Sequence, residues 1–191
     1  MNLLVLGPQG AGKGTQAKRI SSEYGIPHIS TGDMFRAEQA AGTELGKRVG
    51  EIMATGGLVP DELTIAMIEN RLAQPDAADG FVLDGFPRNL AQAEALDAML
   101  GGIGRGLDAI LFFDVPDSVG LERALKRAAI EGRSDDTRDV IAKRLALYHE
   151  QTEPIVEHYR ATGKLVPLHA ERMVDEVWAE IQAALEQVVP A

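Results

Sequence analysis

Residues Gly7 to Thr15 read GPQGAGKGT, and this stretch constrains the fold more than any other. An apolar run, Leu3 to Leu6, precedes it, and a helical pattern with Ala17, Ile20 and Tyr24 on one side follows. Strand, glycine turn and helix form the setting that a phosphate-binding loop requires. Gly7, Gly10, Gly12 and Gly14 permit positive φ, so consecutive N–H groups can turn toward one anion. Lys13 supplies a point charge, and the opening helix adds the positive end of its dipole. Gly7, Gly12 and Lys13 match the G-x-x-x-x-G-K core, but Gly14 comes next and the hydroxyl is delayed to Thr15. A polyphosphate site is expected, with magnesium ligation by the loop hydroxyl left open.

Short apolar runs at Leu3 to Leu6, Phe81 to Leu83, Ala109 to Phe113 and Leu165 to Leu168 suit strands covered on both faces, with Pro27 to Ser30 as a fifth. Helical patterns between them predict an α/β fold: a parallel five-stranded sheet with helices on both faces. Ligands of such sheets bind beyond the carboxyl ends of the strands. Predicted helices run over Asp61 to Leu72, Asn89 to Leu100 with Leu90, Ala93, Leu96 and Leu100 on one face, and Asp117 to Lys126 with Asp or Ser as cap. A long helix from about Arg138 to Arg160 carries Ile141, Leu145, Tyr148, Thr152, Ile155 and Tyr159, and a last one spans Met173 to Val188 with Val174 on its buried face. The helix Asp61 to Leu72 is read as structural. Two segments interrupt the alternation. Thr31 to about Val59 reads as two helices, Asp33 to Ala40 and Thr43 to Ala54, and Ala128 to Thr137 reads as a short polar excursion.

The 191 residues fit one domain. With 19 basic against 29 acidic residues, the net charge of −10 disfavours a sequence-independent grip on nucleic acid or an anionic membrane. There are no cysteines, which excludes disulfides and thiolate metal sites. The lack of cysteines also points to a cytoplasmic setting, and, since Met1 leads straight into a strand-like segment with no basic leader and no apolar run approaches spanning length, no targeting or anchoring segment is expected.

Three constellations carry chemistry. In STGDMFR, Ser30 to Arg36, the spacing of Ser30 and Asp33 is that of a capping box, with Thr31 as the alternative cap. In DGFPR, Asp84 to Arg88, a carboxylate closes an apolar strand at the end where the phosphate loop lies, and can hold the waters of nucleotide-bound magnesium. Gly85 lets a ligand approach the backbone, and Pro87 restricts the turn that presents Arg88. Arg123, Arg127, Arg133 and Arg144 bracket the polar excursion. Arg144 borders the buried face of its helix and so requires an anionic partner. Four arginines around one excursion in an acidic chain read as an anion clamp.

GPQGAGKGT, STGDMFR, GGLVPDE at Gly56 to Glu62, DGFPRNLAQAEAL at Asp84 to Leu96 and GRSDD at Gly132 to Asp136 resemble, in order and interval, the adenylate kinase family of nucleoside monophosphate kinases. The resemblance spans essentially the whole chain and is to the short-lid form, which carries no structural zinc. It implies a core over 1–29, 60–127 and 138–191, an AMP-binding excursion over 30–59 and a lid over 128–137. It further implies that Gly10, Ala11, Gly12, Lys13, Gly14 and Thr15 hold the ATP phosphates, and that Arg172 meets the ATP adenine through its backbone. Thr31 and Gln92 would face the AMP adenine, Arg36 and Arg88 its phosphate, with Val59 and Gly85 also in contact. Arg123, Arg127, Arg133 and Arg144 would surround the transferred group, with Arg123 also near the ATP base. Asp84 would position Mg2+ through water, and Asp135 and Asp136 would hold the closed lid. Asn89 departs from the threonine common in adenylate kinases and resembles uridylate/cytidylate kinases.

The implied reaction moves the γ-phosphoryl group of Mg-ATP to AMP, giving two ADP. It needs no general base, because the acceptor phosphate oxygen is already ionised. His28, His149, His158 and His169 are accordingly read as structural or solvated. The alternatives are a UMP/CMP kinase, suggested by Asn89, and a nucleotide-binding switch without transfer, against which the acceptor-side blocks speak. ATP, AMP and ADP are the expected partners, and a monomer is the family expectation.

Overall fold

The computed structural model describes residues 1–133 and 136–188. Five strands, β1 (Asn2–Leu6), β2 (His28–Ser30), β3 (Phe81–Asp84), β4 (Ala109–Asp114) and β5 (Leu165–His169), form one parallel sheet in the order β2-β3-β1-β4-β5. All five expected strands are present. β1 therefore lies at the centre, and its carboxyl end opens between β3 and β4, where the chain connections diverge. β5 contains Pro167, which its edge position tolerates.

Nine α-helices connect or cover the strands among the described residues: α1 (Lys13–Tyr24), α2 (Thr31–Ala40), α3 (Glu44–Ala54), α4 (Asp61–Leu72), α5 (Leu90–Gly102), α6 (Asp117–Glu131), α7 (Arg138–Leu147), α8 (Glu153–Arg160) and α9 (Val174–Val188). Period-two alternation divides the core between the two sheet faces. Leu3 and Val5 of β1 face α1 and α9 together with Val82, Leu111 and Phe113. Leu4 and Leu6 point the other way, with Phe81, Leu83 and Ile110, onto Ile68, Leu96 and Ile155 of α4, α5 and α8. Each such leucine, essentially inaccessible, contributes about 1.5–3 kcal/mol by burial. A third cluster, Phe35, Val49 and Val59 against Leu63 and Met67, seats α2 and α3 on α4.

Several helices differ from the sequence expectation. Ser30 Oγ accepts from the Asp33 N–H as expected, and Thr43 and Asn89 cap α3 and α5 in the same way. For α6, however, Pro116 occupies the cap position and neither Asp117 nor Ser118 caps it. α6 also runs on to Glu131, because Ala128 and Ala129 are strong helix formers, and stops at Gly132 in the left-handed region (φ 63°). Residues 128–131, four of the ten in the expected polar excursion, are thus helix; Ser134 and Asp135 lie outside the described residues. The long helix is interrupted by a π turn at Tyr148–Thr152, next to Pro154, which has no N–H to continue the ladder. Leu90 and Val174, expected on buried faces, are 43% and 51% exposed, since both sit in first turns that overhang the core.

Candidate active site

At the end of β1 the loop Gly7–Gly12 turns into α1 with positive φ at Gly7, Gly10 and Gly12. Gly14 does not share that conformation; it lies inside the helix, where a Cβ would sit 3.6 Å from Asp84 Oδ2. Gly10 has the strictest requirement, because a Cβ there would come within 2.0 Å of the Gly120 carbonyl oxygen of α6. The loop is therefore clamped between the sheet and α6. Lys13 Nζ donates to the carbonyls of Gly7 and Pro8, both at 2.7 Å. Burial pushes its pKa down to about 8; Asp84 counters this, while Arg88 and Arg127 add to it.

Asp84, the last residue of β3, is in register with Val5 on one side and Ser30 on the other. Burial alone would raise its carboxyl, but the His28 hydrogen bond and the charges of Lys13, His28 and Arg88 outweigh burial and hold it below the ordinary carboxylate range. His28 Nε2 lies 3.4 Å from Asp84 Oδ2, so this histidine belongs to the cleft wall. His149, His158 and His169 instead lie in exposed pairs with Asp117, Asp97 and Glu180.

After β3 the turn is fixed through the Gly85 carbonyl, which accepts from Thr31 Oγ1 at 2.9 Å and Arg88 Nε at 2.8 Å. Gly85 (φ 81°) admits no side chain, since a Cβ would approach Thr31 Oγ1 to 2.6 Å. The backbone of Arg88 is held at both ends: its N–H donates to Gln92 Oε1 and its carbonyl accepts from Thr152 Oγ1. Burial and Arg144 lower the Arg88 pKa, Asp84 opposes them, and Arg36 adds to the lowering. The pocket holds more positive charge than its own carboxylates offset.

Around the opposite wall, Asp136 Oδ2 accepts from Arg127 at 2.6 Å and Oδ1 from Arg144 at 2.7 Å and Gln9 at 2.8 Å. This is the anionic partner that Arg144 requires. Arg144 Nη2 also reaches the Met53 carbonyl of α3, which ties α7 to the α2–α3 excursion. Arg127 Nε is buried and has no hydrogen-bond partner among the described residues. Arg123 donates to the carbonyls of Ala170 and Glu171, fixing the loop that carries Arg172. Arg36 pairs with Asp33, Arg133 with Glu131 and Arg172 with Glu180.

All eighteen described residues singled out for nucleotide, phosphoryl or magnesium contact line one continuous cavity of about 700 Å3. The loop residues Gly10, Ala11, Gly12, Lys13, Gly14 and Thr15 form one end with Arg123 and Arg172; Thr31, Arg36, Val59, Gly85 and Gln92 form the other; Asp84, Arg88, Arg127, Arg133 and Arg144 also line the cleft. Three further residues were not legible as site components. His28 and Thr152 touch Asp84 and Arg88. Asp61, at the start of a helix read as structural, accepts from both Asn89 Nδ2 and Gln92 Nε2. Its sequence signals are its place in the GGLVPDE block and a carboxylate next to Pro60, and the latter marks a helix start equally well.

A family model for adenylate kinase matches residues 5–164. Curated relatives agree with it. The adenylate kinase of Parvibaculum lavamentivorans is 50% identical over 188 residues, covering 97% of this chain and 92% of that protein. Those of Stenotrophomonas maltophilia and Xanthomonas euvesicatoria pv. vesicatoria are each 49% identical, covering 97% of this chain and 100% and 99% of theirs.

Proposed function

The chain belongs to the adenylate kinase family, and from that premise we propose that its cleft transfers the γ-phosphoryl group of Mg-ATP to AMP. One observation carries the reading: a phosphate loop and a second set of cationic side chains share one cavity, so two polyanions can meet in it. A switch that binds a single nucleotide would have no use for the second set.

The donor phosphates lie on the N–H groups of Gly10 to Thr15, where Lys13 exchanges its carbonyl partners for phosphate oxygens. Arg172 offers its backbone to the donor base. The acceptor phosphate meets Arg36 and Arg88, with Thr31, Gln92, Val59 and Gly85 around its base. Arg123, Arg127, Arg133 and Arg144 neutralise charge on the transferred group, and the partnerless Arg127 Nε supplies a donor that an anion satisfies. The acceptor oxygen is already ionised, so catalysis reduces to holding the two phosphates in line and stabilising equatorial charge.

Asp84 suits a divalent cation held through water. It is a carboxylate kept ionised, and the absent side chain of Gly14 leaves the space between it and the loop open. A magnesium ion held by Asp84 through water would supply charge to shield the donor phosphate oxygens. We read 30–59 as the acceptor cover and 128–137 as the donor lid, with Asp136, bonded to Gln9, Arg127 and Arg144, holding it closed over a water-free cleft. A monomer is the reading carried over from the family, and a sequence without cysteines fits a cytoplasmic setting.

Calorimetry tests the two-anion cleft. AMP titrated into protein saturated with a non-transferable ATP analogue should bind with a stoichiometry near one; competition between the two for a single site would overturn the reading.

A further inference from the structure

Gln92 is 2% exposed, lines the acceptor end of the cleft, and has its amide held on both sides, by the Arg88 backbone within the cleft and by Asp61 outside it. Its Oε1 accepts the Arg88 N–H at 2.8 Å, and its Nε2 donates to Asp61 Oδ1 at 2.7 Å. The same Asp61 oxygen accepts Asn89 Nδ2 at 2.9 Å, while Asn89 Oδ1 caps α5 by accepting the Gln92 N–H. A backbone N–H can only donate and a carboxylate accepts, so a turned-over Gln92 amide would face N–H against N–H on one side and oxygen against oxygen on the other. We propose that Asp61 is a positioning residue that locks the Gln92 amide in one orientation and thereby sets the preference of the acceptor site for 6-aminopurine over 6-oxopurine monophosphates.

The inference rests on the reading that Gln92 faces the acceptor base. With one N–H and one oxygen lone pair already used, the locked amide offers a purine one further acceptor and one further donor in fixed order. Adenine presents a 6-amino donor beside a ring-nitrogen acceptor and matches a side-chain amide in both bonds. A 6-oxopurine carries a carbonyl at that position, and the amide oxygen would then meet an oxygen. An amide free to turn over could place its N–H there instead, and discrimination would be lost. Asn89 has a part in the lock as well: it is the second donor that holds the Asp61 carboxylate in place.

Asp61→Asn retains size and shape but replaces an obligatory acceptor by a group that can turn either way. Compared as acceptors with Mg-ATP, AMP should lose its advantage over IMP in kcat/KM by about tenfold or more in this variant, mostly through KM, while kcat at saturating AMP changes by less than about threefold. Asp61→Glu, which preserves an acceptor, should keep most of the discrimination. An unchanged AMP to IMP ratio in folded Asp61→Asn, with the ratio collapsed in Gln92→Leu, would overturn the lock while leaving the base-reading role of Gln92 intact. A ratio unchanged in Gln92→Leu would instead remove the reading on which the lock rests. A measurement on the unaltered protein needs no variant to fold: one Nε2 proton of Gln92 should be protected from solvent exchange before AMP is added and the second only after. Solvent-rate exchange of both protons without AMP would contradict the proposal.

Discussion

Arg144 Nη1 donates to Asp136 Oδ1 at 2.7 Å across eight residues of chain, and the Asp136 side chain is wholly inaccessible there. Arg127 takes the other carboxylate oxygen, so one carboxylate between α6 and α7 bridges two of the cleft arginines and leaves them a net positive charge. Removing one partner of a buried ion pair leaves uncompensated charge at a cost of about 3–5 kcal/mol. Arg127 and Arg144 retain 33% and 17% exposure, which lets water take up part of that cost. Asp136→Asn should therefore destabilise the protein by about 2–4 kcal/mol, a fall in Tm of roughly 5–15 °C by calorimetry.

Lys13 gives a pH prediction with a definite sign. Its pKa of about 8 lies below the ordinary 10.5, so between those values the unfolded chain binds more protons than the folded one, and stability from this group rises with pH across the window. The ammonium itself is lost as pH rises through about 8. The kcat/KM for Mg-ATP should fall above that point, and nucleotide binding near pH 8.5 should take up protons as phosphate restores the charge. Calorimetry in two buffers of different ionisation enthalpy measures that uptake, which Lys13→Met should abolish.

Arg88 is held by its own backbone and by the Gly85 carbonyl, so its guanidinium is aimed before any phosphate arrives. Arg88→Ala should lower turnover by about 10²-fold or more while leaving the fold unchanged by circular dichroism. Arg88→Lys should recover little of it, because a single ammonium cannot reproduce the forked donor geometry.

Gly10→Ala should be more damaging than its one methyl group suggests. Both the left-handed φ of 82° and the Gly120 carbonyl oppose the new Cβ. We expect ATP affinity to fall by about tenfold or more, with a stability loss of about 1–3 kcal/mol, both readable from one set of thermal melts with and without nucleotide.

What was legible in the sequence depended on range. The phosphate loop is a local device: strand, glycines, lysine and helix follow one another within a few residues, so residue order alone locates it. The alternation of apolar runs with helical patterns gave the parallel sheet for the same reason, and the arginine clusters pointed to a shared anion. Pairings between distant segments left no such trace. Asp61 meets Gln92 across 31 positions and His28 meets Asp84 across 56, and Asp61 and His28 each have an ordinary local explanation, as a helix start and a strand residue. Ends of elements were also misread where two local tendencies competed, as at Ala128 to Glu131, where helix-forming alanines carry α6 into a segment whose polarity suggested a loop. Pro154 broke the ladder of the long helix without disturbing its buried stripe, so the periodicity concealed the π turn.

The most direct test of the account is phosphoryl transfer itself. Purified protein with Mg-ATP would be offered AMP, UMP and CMP in separate reactions, and nucleoside diphosphate formation followed in each. Rapid conversion of AMP is expected, with two ADP formed per transfer, and much slower use of either pyrimidine nucleotide. Preference for UMP or CMP would contradict the assignment of the acceptor end, and intact ATP binding with no transfer to any of the three would contradict the reaction.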